Sequence, residues 1–280
     1  MKKEQIIQIE KKANEIRKII IEMLLNSGSG HPAGSLGMAD IFAVLYFLIL
    51  KHDPQNPAWK ERDRLVLSNG HIVPVRYASM YLSGYDITKE ELLTTLRKIN
   101  SRLEGHPSYI KLPGVETSSG PLGEGLSQAL GMSLNSRIDG NEDNYNVWCV
   151  MSDGEQDEGM VWEAVMACGK YKPKNLITII DRNNIQIDGY TEDVMPVDPL
   201  ALKYKAFGWK VFEIDGHNIE EVIDTLNMVK DIKEGPVCVI AKTIPGKGVS
   251  FMENDYSWHG RAPNFEESKL ALEELENNKF

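Results

Sequence analysis

The chain has 280 residues, 42% of them hydrophobic, which is enough for one large domain or two small ones with an ample core, so disorder is not the expectation. Lys and Arg total 31 against 41 for Asp and Glu, a formal net charge of −10. That balance disfavours nonspecific attachment to nucleic acid or to an anionic membrane, and points instead to a small-molecule partner.

At the amino terminus, Met1 to Lys12 is charged and holds no apolar signal core with a cleavage site. No stretch approaches the roughly 18 apolar residues of a membrane span, so a cytoplasmic location is expected. Ile6, Ile9, Ala13, Ile16, Ile20 and Leu24 recur at intervals of three and four, the period of one face of a helix. That helix gives way at Asn26-Ser27-Gly28-Ser29-Gly30, a breaker cluster. Residues 38–50 read as a second helix by length, halted before Pro54 and Pro57. Strand-sized runs rich in Val and Ile follow at 64–67, 147–151, 176–180, 210–214 and 237–241. Residues 123–136, 159–171 and 219–229 read as helices between them. Strand and helix in alternation predict a doubly wound α/β fold, a parallel sheet with helices on both faces. Cys149, Cys168 and Cys238 lie far apart, without the short paired spacings of zinc or redox sites, and are expected as reduced, buried thiols. No repeat, low-complexity tract or linker divides the chain, which predicts one domain over 1–280 with the Glu- and Lys-rich tail, 264–280, as a loosely docked helix.

The run Val147-Trp148-Cys149-Val150-Met151-Ser152-Asp153-Gly154 places an acid and a glycine where a buried strand ends, the end at which open parallel sheets bind ligands. Taken alone, such a pair more often marks a tight turn. The strand at 176–180, however, leads into Asp181-Arg182-Asn183-Asn184-Ile185, which brings oxygen-bearing side chains to a second strand tip. Magnesium and calcium take hard oxygen ligands, and magnesium commonly pairs one or two carboxylates with phosphate oxygens. The Asp153 carboxylate, the Asn183 amide oxygen and a backbone carbonyl near Ile185 would meet that need. Gly154 lets the backbone approach a diphosphate, and the helix beginning near Gly159 can turn free amides toward its charge. The sequence has no Gly-x-x-x-x-Gly-Lys-Ser/Thr loop, which argues against a P-loop nucleotide hydrolase.

Four histidines sit in short contexts rich in glycine and proline: Gly30-His31-Pro32, Ser68-Asn69-Gly70-His71, Gly105-His106-Pro107 and Trp258-His259-Gly260. Any one of them alone reads as a surface or satisfied loop histidine. Together they suit work on hydroxylated substrates, because imidazole donates, accepts and relays protons near neutral pH. His52 and His217 lack such contexts and read as structural, and Arg102 and Arg261 as solvated surface arginines.

These residues carry a resemblance. Ser152-Asp153-Gly154-Glu155-Gln156-Asp157-Glu158-Gly159, followed by Trp162-Glu163-Ala164 and closing at Asp181-Arg182-Asn183, is similar to the thiamine diphosphate signature that opens with Gly-Asp-Gly, with Ser152 in place of the opening glycine. The histidine segments, with Thr117-Ser118-Ser119-Gly120-Pro121-Leu122-Gly123, resemble the amino-terminal portion of transketolase almost from end to end. One departure is Glu124, where the family commonly has Gln. The resemblance implies that Asp153, Asn183 and the Ile185 carbonyl bind Mg2+ or Ca2+. It places Gly154 on the diphosphate of thiamine diphosphate, and Glu158 beside the cofactor near the subunit contact. Gly120, Pro121 and Leu122 would lie against the aminopyrimidine and thiazolium, and His71 and His259 beside the diphosphate. His259 would also reach the reacting centre, while His31 and His106 would face the substrate hydroxyls on its third and first carbons.

The activity so implied is transfer of a two-carbon ketol unit from a ketose phosphate to an aldose phosphate, with His31 and His259 as the proton-moving pair. The glutamate that activates the cofactor lies, in this family, in the following domain. The chain is therefore expected to need a carboxy-terminal transketolase subunit bearing the pyrimidine-binding domain, to be inactive alone, and to assemble as a heterotetramer. The rival readings are a 2-oxo acid dehydrogenase alpha subunit, a 1-deoxyxylulose-5-phosphate synthase relative, or a non-catalytic cofactor-binding scaffold.

Overall fold

A computed structural model describes residues 2–278, so the outermost residues of the expected 1–280 domain and 264–280 tail lie outside the described part. The chain opens with α1 (Lys2–Ser27), α2 (Pro32–Gly37) and α3 (Ala39–Val44), then β1 (Arg64–Leu67), α4 (Val73–Leu82), α5 (Lys89–Thr94) and α6 (Glu124–Ile138). It continues through β2 (Val147–Ser152), α7 (Gly159–Tyr171), β3 (Leu176–Arg182), the short hairpin β4 (Ile185–Gln186) and β5 (Gly189–Tyr190), α8 (Thr191–Val194) and α9 (Leu200–Ala206). The last elements are β6 (Lys210–Asp215), α10 (Ile219–Val229), β7 (Val237–Lys242) and α11 (Phe265–Asn277). The main sheet has the order β1-β2-β3-β7-β6 and is parallel throughout.

A parallel pair needs a crossover, and the crossover helices cover both faces of the sheet. Successive side chains of a strand point to opposite faces, and β2 shows the result. Trp148 and Val150 enter one core with Ile16, Ile20 and Phe42, whereas Val147, Cys149 and Met151 enter the other with Leu126, Val161 and Val165. The three cysteines are buried and unpaired, and burial pushes their thiols up, Cys168 to about 12. Among the described residues no helix is long and apolar enough to cross a membrane.

One segment differs in form from its sequence-based expectation, and a second is the helix expected but with defined packing. Residues 38–50 are not one α-helix: α3 ends at Val44, a π-helical turn takes over at Leu45–Ile49, and the Leu50 N–H bonds back to the Leu45 carbonyl at 2.8 Å. Apolar spacing specifies a buried face, but it does not separate an i to i+4 turn from one widened by a residue. Residues expected as a loosely docked helical tail form the helix α11, opened by reciprocal bonds between Asn264 and Glu267 (3.0 and 2.8 Å). This helix buries Ser268, Ala271 and Leu275, and the Leu275 carbonyl accepts a 2.8 Å bond from Asn14 of α1.

Gly169 tests this packing. Within a helix alanine is favoured over glycine by about 1 kcal/mol, yet a Cβ at Gly169 would stand 2.0 Å from the Phe207 carbonyl oxygen, just past α9. Because that neighbour is backbone, Gly169→Ala is expected to destabilise the fold by about 1–3 kcal/mol, read as a lower urea midpoint. A raised midpoint would show that the end of α9 moves aside freely.

Candidate functional site

At their carboxyl ends β2 and β3 pair Ser152 with Asp181, and one step further the Asp153 N–H bonds the Asp181 carbonyl at 3.1 Å. Asp153 has no exposed surface. Its Oδ1 accepts from the Gly154 N–H at 2.7 Å, and its Oδ2 from Arg182 Nη1 at 2.8 Å and the Asn184 N–H at 2.6 Å. Burial pushes this carboxyl group up, while the Arg182 guanidinium and the two amides work against the shift. Arg182 is itself held by Glu192 at 2.5 Å and Asp198 at 3.2 Å. Asn183 donates its amide to Asp181 Oδ2 at 2.8 Å, and its oxygen accepts from the Ile185 N–H at 3.0 Å. Asp181 also takes the Thr243 hydroxyl; burial, then the neighbouring Asp153, raise it to about 7. Asn184 adopts a φ of 60°, which turns the chain from β3 into the β4–β5 hairpin.

The four loop histidines converge above these tips. His31 precedes α2, His71 lies in the turn after β1, His106 follows α5, and His259 comes before α11. The His31 ring centroid is 5.1 Å from that of His71, 5.6 Å from His259 and 6.4 Å from His106, and His71 and His259 are 5.1 Å apart. Burial drives all four toward the neutral form. His31 falls to about 4, helped by His259, Arg97 and His106; His71 falls well below its ordinary value; His106 is lowered by burial and Arg97, and His259 by burial. Arg97 packs so closely on the His106 loop that a Cβ at Gly105 would meet its Nε at 2.5 Å, so a larger residue there would displace the guanidinium.

The histidines wall a cavity of about 310 Å³ with Gly120, Leu122, Gly154, Asn183 and Ile185, all expected from the sequence. Asp153 is not among the residues that line the cavity, although its neighbours Ser152 and Gly154 both are. Pro121 and Glu158 are exposed and stand outside it, and a 3-10 turn at Gly154–Asp157 pushes the start of α7, at exposed Gly159, beyond it. Ser152, Glu155, Gln186, Ile187 and Asp188 also line the cavity and were not expected. Ser152 and Glu155 lie inside the signature segment without an expected role, and Asp188-Gly189 is the dipeptide of a tight hairpin; nothing local marked the pairing of Arg182 with Asp153. His52 bonds the Tyr46 carbonyl and the Tyr85 hydroxyl at 2.8 and 3.1 Å, while His217 bonds Asp40 at 2.7 Å and accepts from the Ile244 N–H at 2.7 Å. Larger clefts of about 620 and 530 Å³ lie at the β6–β7 end, lined there by His217, Asp215 and Glu221, and beside Trp162, but neither holds any of the four loop histidines.

The cavity is chemically suited to a cofactor diphosphate with its cation. A carboxylate offers about four lone-pair sites, and Asp153 uses three of them on protein donors. Asn183 fastens its nitrogen to Asp181, which leaves the oxygen as the ligating end. His31 Nδ1, both amide atoms of Asn69 and Ser119 Oγ are buried without protein partners, and buried polar atoms of this kind call for a ligand or water. Among the described residues no three His, Cys, Asp or Glu side chains gather as a metal cluster. The ligand set expected from the sequence would have one carboxylate beside amide and carbonyl oxygens, a composition magnesium accepts together with phosphate.

A family model described as transketolase, thiamine diphosphate binding domain, matches residues 9–278. The chain belongs to the transketolase family. It is 41% identical over 273 residues to the 6-deoxy-6-sulfo-D-fructose transketolase subunit SqwG of Clostridium sp. (strain MSTE9), covering 98% of each chain. It is 37% identical over 271 residues to an apulose-4-phosphate transketolase subunit of Phocaeicola vulgatus, covering 97% of this chain and 95% of that protein. The crystal structure of transketolase from Campylobacter jejuni superposes with a TM-score of 0.90 at 35% identity; the match covers 97% of this chain but only 43% of that one. The chain is thus a transketolase subunit of the divided kind, and the 2-oxo acid dehydrogenase and scaffold readings are set aside.

The buried imidazoles make the stability of this transketolase subunit depend on pH. A histidine whose folded pKa lies below its unfolded value binds fewer protons when folded, so it adds to stability above the unfolded pKa and that contribution is lost as pH falls. For His31 the window runs from 6.5 down to about 4. Across it the stability of the isolated chain, from urea melts, should fall more steeply than that of His31→Asn. Parallel curves would mean that His31 is protonated equally in both states.

Proposed function

We propose that this subunit holds thiamine diphosphate by its diphosphate end, through a divalent cation bound by Asp153, Asn183 and the Ile185 carbonyl. With a partner subunit that carries the pyrimidine-binding domain, it transfers a two-carbon ketol unit from a ketose phosphate to an aldose phosphate. The observation that carries this reading is the meeting of four neutral imidazoles with the buried carboxylate and amide of two adjacent strand tips.

When bound, thiamine diphosphate supplies a nucleophilic carbon and an electron sink for the carbon-carbon bond that breaks. The chain's own residues bind, orient and move protons. Gly154 gives the diphosphate close access to backbone, and His71 and His259 stand beside it. The loop Gly120-Pro121-Leu122 supports the rings. His31 and His259 take and return the proton of the donor hydroxyl next to the breaking bond, a task that needs imidazoles free to accept at neutral pH. His106 orients the hydroxyl on the first carbon. Glu158, exposed beside Gly123, serves the contact with the partner subunit. The pair works in the cytoplasm as a heterotetramer of two such chains with two partners. One relative is named for a ketose with a sulfo group and another for one with a phosphate, so the donor assay should offer both kinds.

Purified with its partner, magnesium and thiamine diphosphate, the enzyme is expected to convert a ketose and an aldose phosphate without releasing carbon dioxide; gas release would refute the reaction. His259→Ala should lower kcat about 100-fold or more, with a much smaller change in cofactor affinity measured by calorimetry. Equal losses in both would remove His259 from proton transfer. Asp153→Ala should abolish magnesium-dependent cofactor binding by the pair, and unchanged binding would refute the metal assignment.

A further inference from the structure

Glu155 lies two residues beyond Asp153, has no exposed surface, and takes no part in the proton transfers above. Its Oε1 accepts from the Gly123 N–H at 2.7 Å and from the Ser68 hydroxyl, and its Oε2 accepts from the Ser152 N–H at 3.1 Å. The Ser68 oxygen in turn accepts from the Gly125 N–H at 3.0 Å. These donors belong to three segments of the chain. Ser68 follows β1 and leads to His71, Gly123 closes the loop Gly120-Pro121-Leu122, and Ser152 ends β2 beside Asp153.

We propose that Glu155 is a positioning residue, a carboxylate strap that holds the His71 turn, the Gly120–Leu122 loop and the Asp153 strand tip in one arrangement for thiamine diphosphate. The inference rests on the cofactor site proposed above. A carboxylate is suited to the task because it is acceptor-only, with lone pairs enough for all three segments, and because bonds to an ionised acceptor are shorter and stronger than neutral ones. Stability alone is a poor reason for such a group, since a buried charge is costly and well-packed apolar side chains commonly replace it without loss. The surrounding glycines fit the same purpose. A Cβ at Gly125 would stand 2.4 Å from Ser68 Cβ, and Gly123 adopts a φ of 88°, so glycine suits both the Gly125 amide that reaches Ser68 and the Gly123 amide that reaches Glu155.

The discriminating variant is Glu155→Gln, equal in size but with one acceptor oxygen replaced by a donor, so that it faces either Ser152 or the Gly123 and Ser68 pair with the wrong group. The reconstituted pair with magnesium is the sample. Its Kd for thiamine diphosphate, from fluorescence quenching, and its cofactor KM are both expected to rise about tenfold, as for loss of one hydrogen bond to a charged group. kcat at saturating cofactor should stay within about twofold of wild type, and the mismatched buried donor should also lower the apo Tm; a purely structural role would lower Tm alone and leave the cofactor Kd at its wild-type value. Ser68→Ala, which keeps the carboxylate, should raise the Kd by a smaller factor, and adding it to Glu155→Gln should raise it no further. Wild-type cofactor affinity in Glu155→Gln overturns the strap; if that variant does not fold, wild-type affinity in Ser68→Ala does so. Asp153→Ala separates the two readings. If it loses cofactor while Glu155→Gln keeps it, the strap alone fails; if it binds normally, the site and the strap fail together.

Discussion

The ladder between β2 and β3 is the constraint on which the site depends. Because Ser152 and Asp181 are register partners, Asp153 emerges beside the chain that carries Asn183, and its carboxylate has nowhere to go but onto the Asn184 amide and the Arg182 guanidinium. A carboxylate without solvent is tolerable only where donors surround it, and here three donors do so. Slipping the register by one residue would send Asp153 to the opposite face of the sheet and dismantle the site at once.

On this rigid base the histidines are delivered by loops, the usual division between scaffold and reacting groups. The loops hold their places because they pack against one another, through His31 touching His71 and His259 and through Arg97 wedged against Gly105. Burial does the chemical tuning. It strips water from the imidazoles, and a desolvated imidazole gives up its proton, so each is held in the neutral form, whose free ring nitrogen can accept a hydrogen bond.

Neutral imidazoles are good at reading hydroxyls, and the hydroxyls beside a ketose carbonyl are common to many sugars. On the proposed function, a wall built this way would recognise the reacting end of the molecule and leave the far end to be read elsewhere. In the function proposed above, the division of the enzyme into two chains follows a division of chemical labour, with the diphosphate and the proton transfers on one side and the aminopyrimidine on the other.

Local pattern carried a great deal here. Apolar period and breaker residues set the ends of β1, α7 and α10 where the structure has them, because β-branched runs and helical faces are properties of a short window. The residue types of the site were legible too, since four glycine-flanked histidines and an Asp-Gly at a strand end are visible without coordinates. Other features needed the folded chain. The π turn at Leu45–Ile49 keeps the apolar spacing of an α-helix, so no window reveals it. Arg182 on Asp153, and Glu155 on Ser68 and Gly123, join residues 29, 87 and 32 positions apart. Such pairings exist only after the sheet has chosen the order β1-β2-β3-β7-β6. Sequence sets what each strand tip offers; the neighbour that receives it is settled by strand order, a global outcome of burying both faces of the sheet that no local stretch of residues encodes.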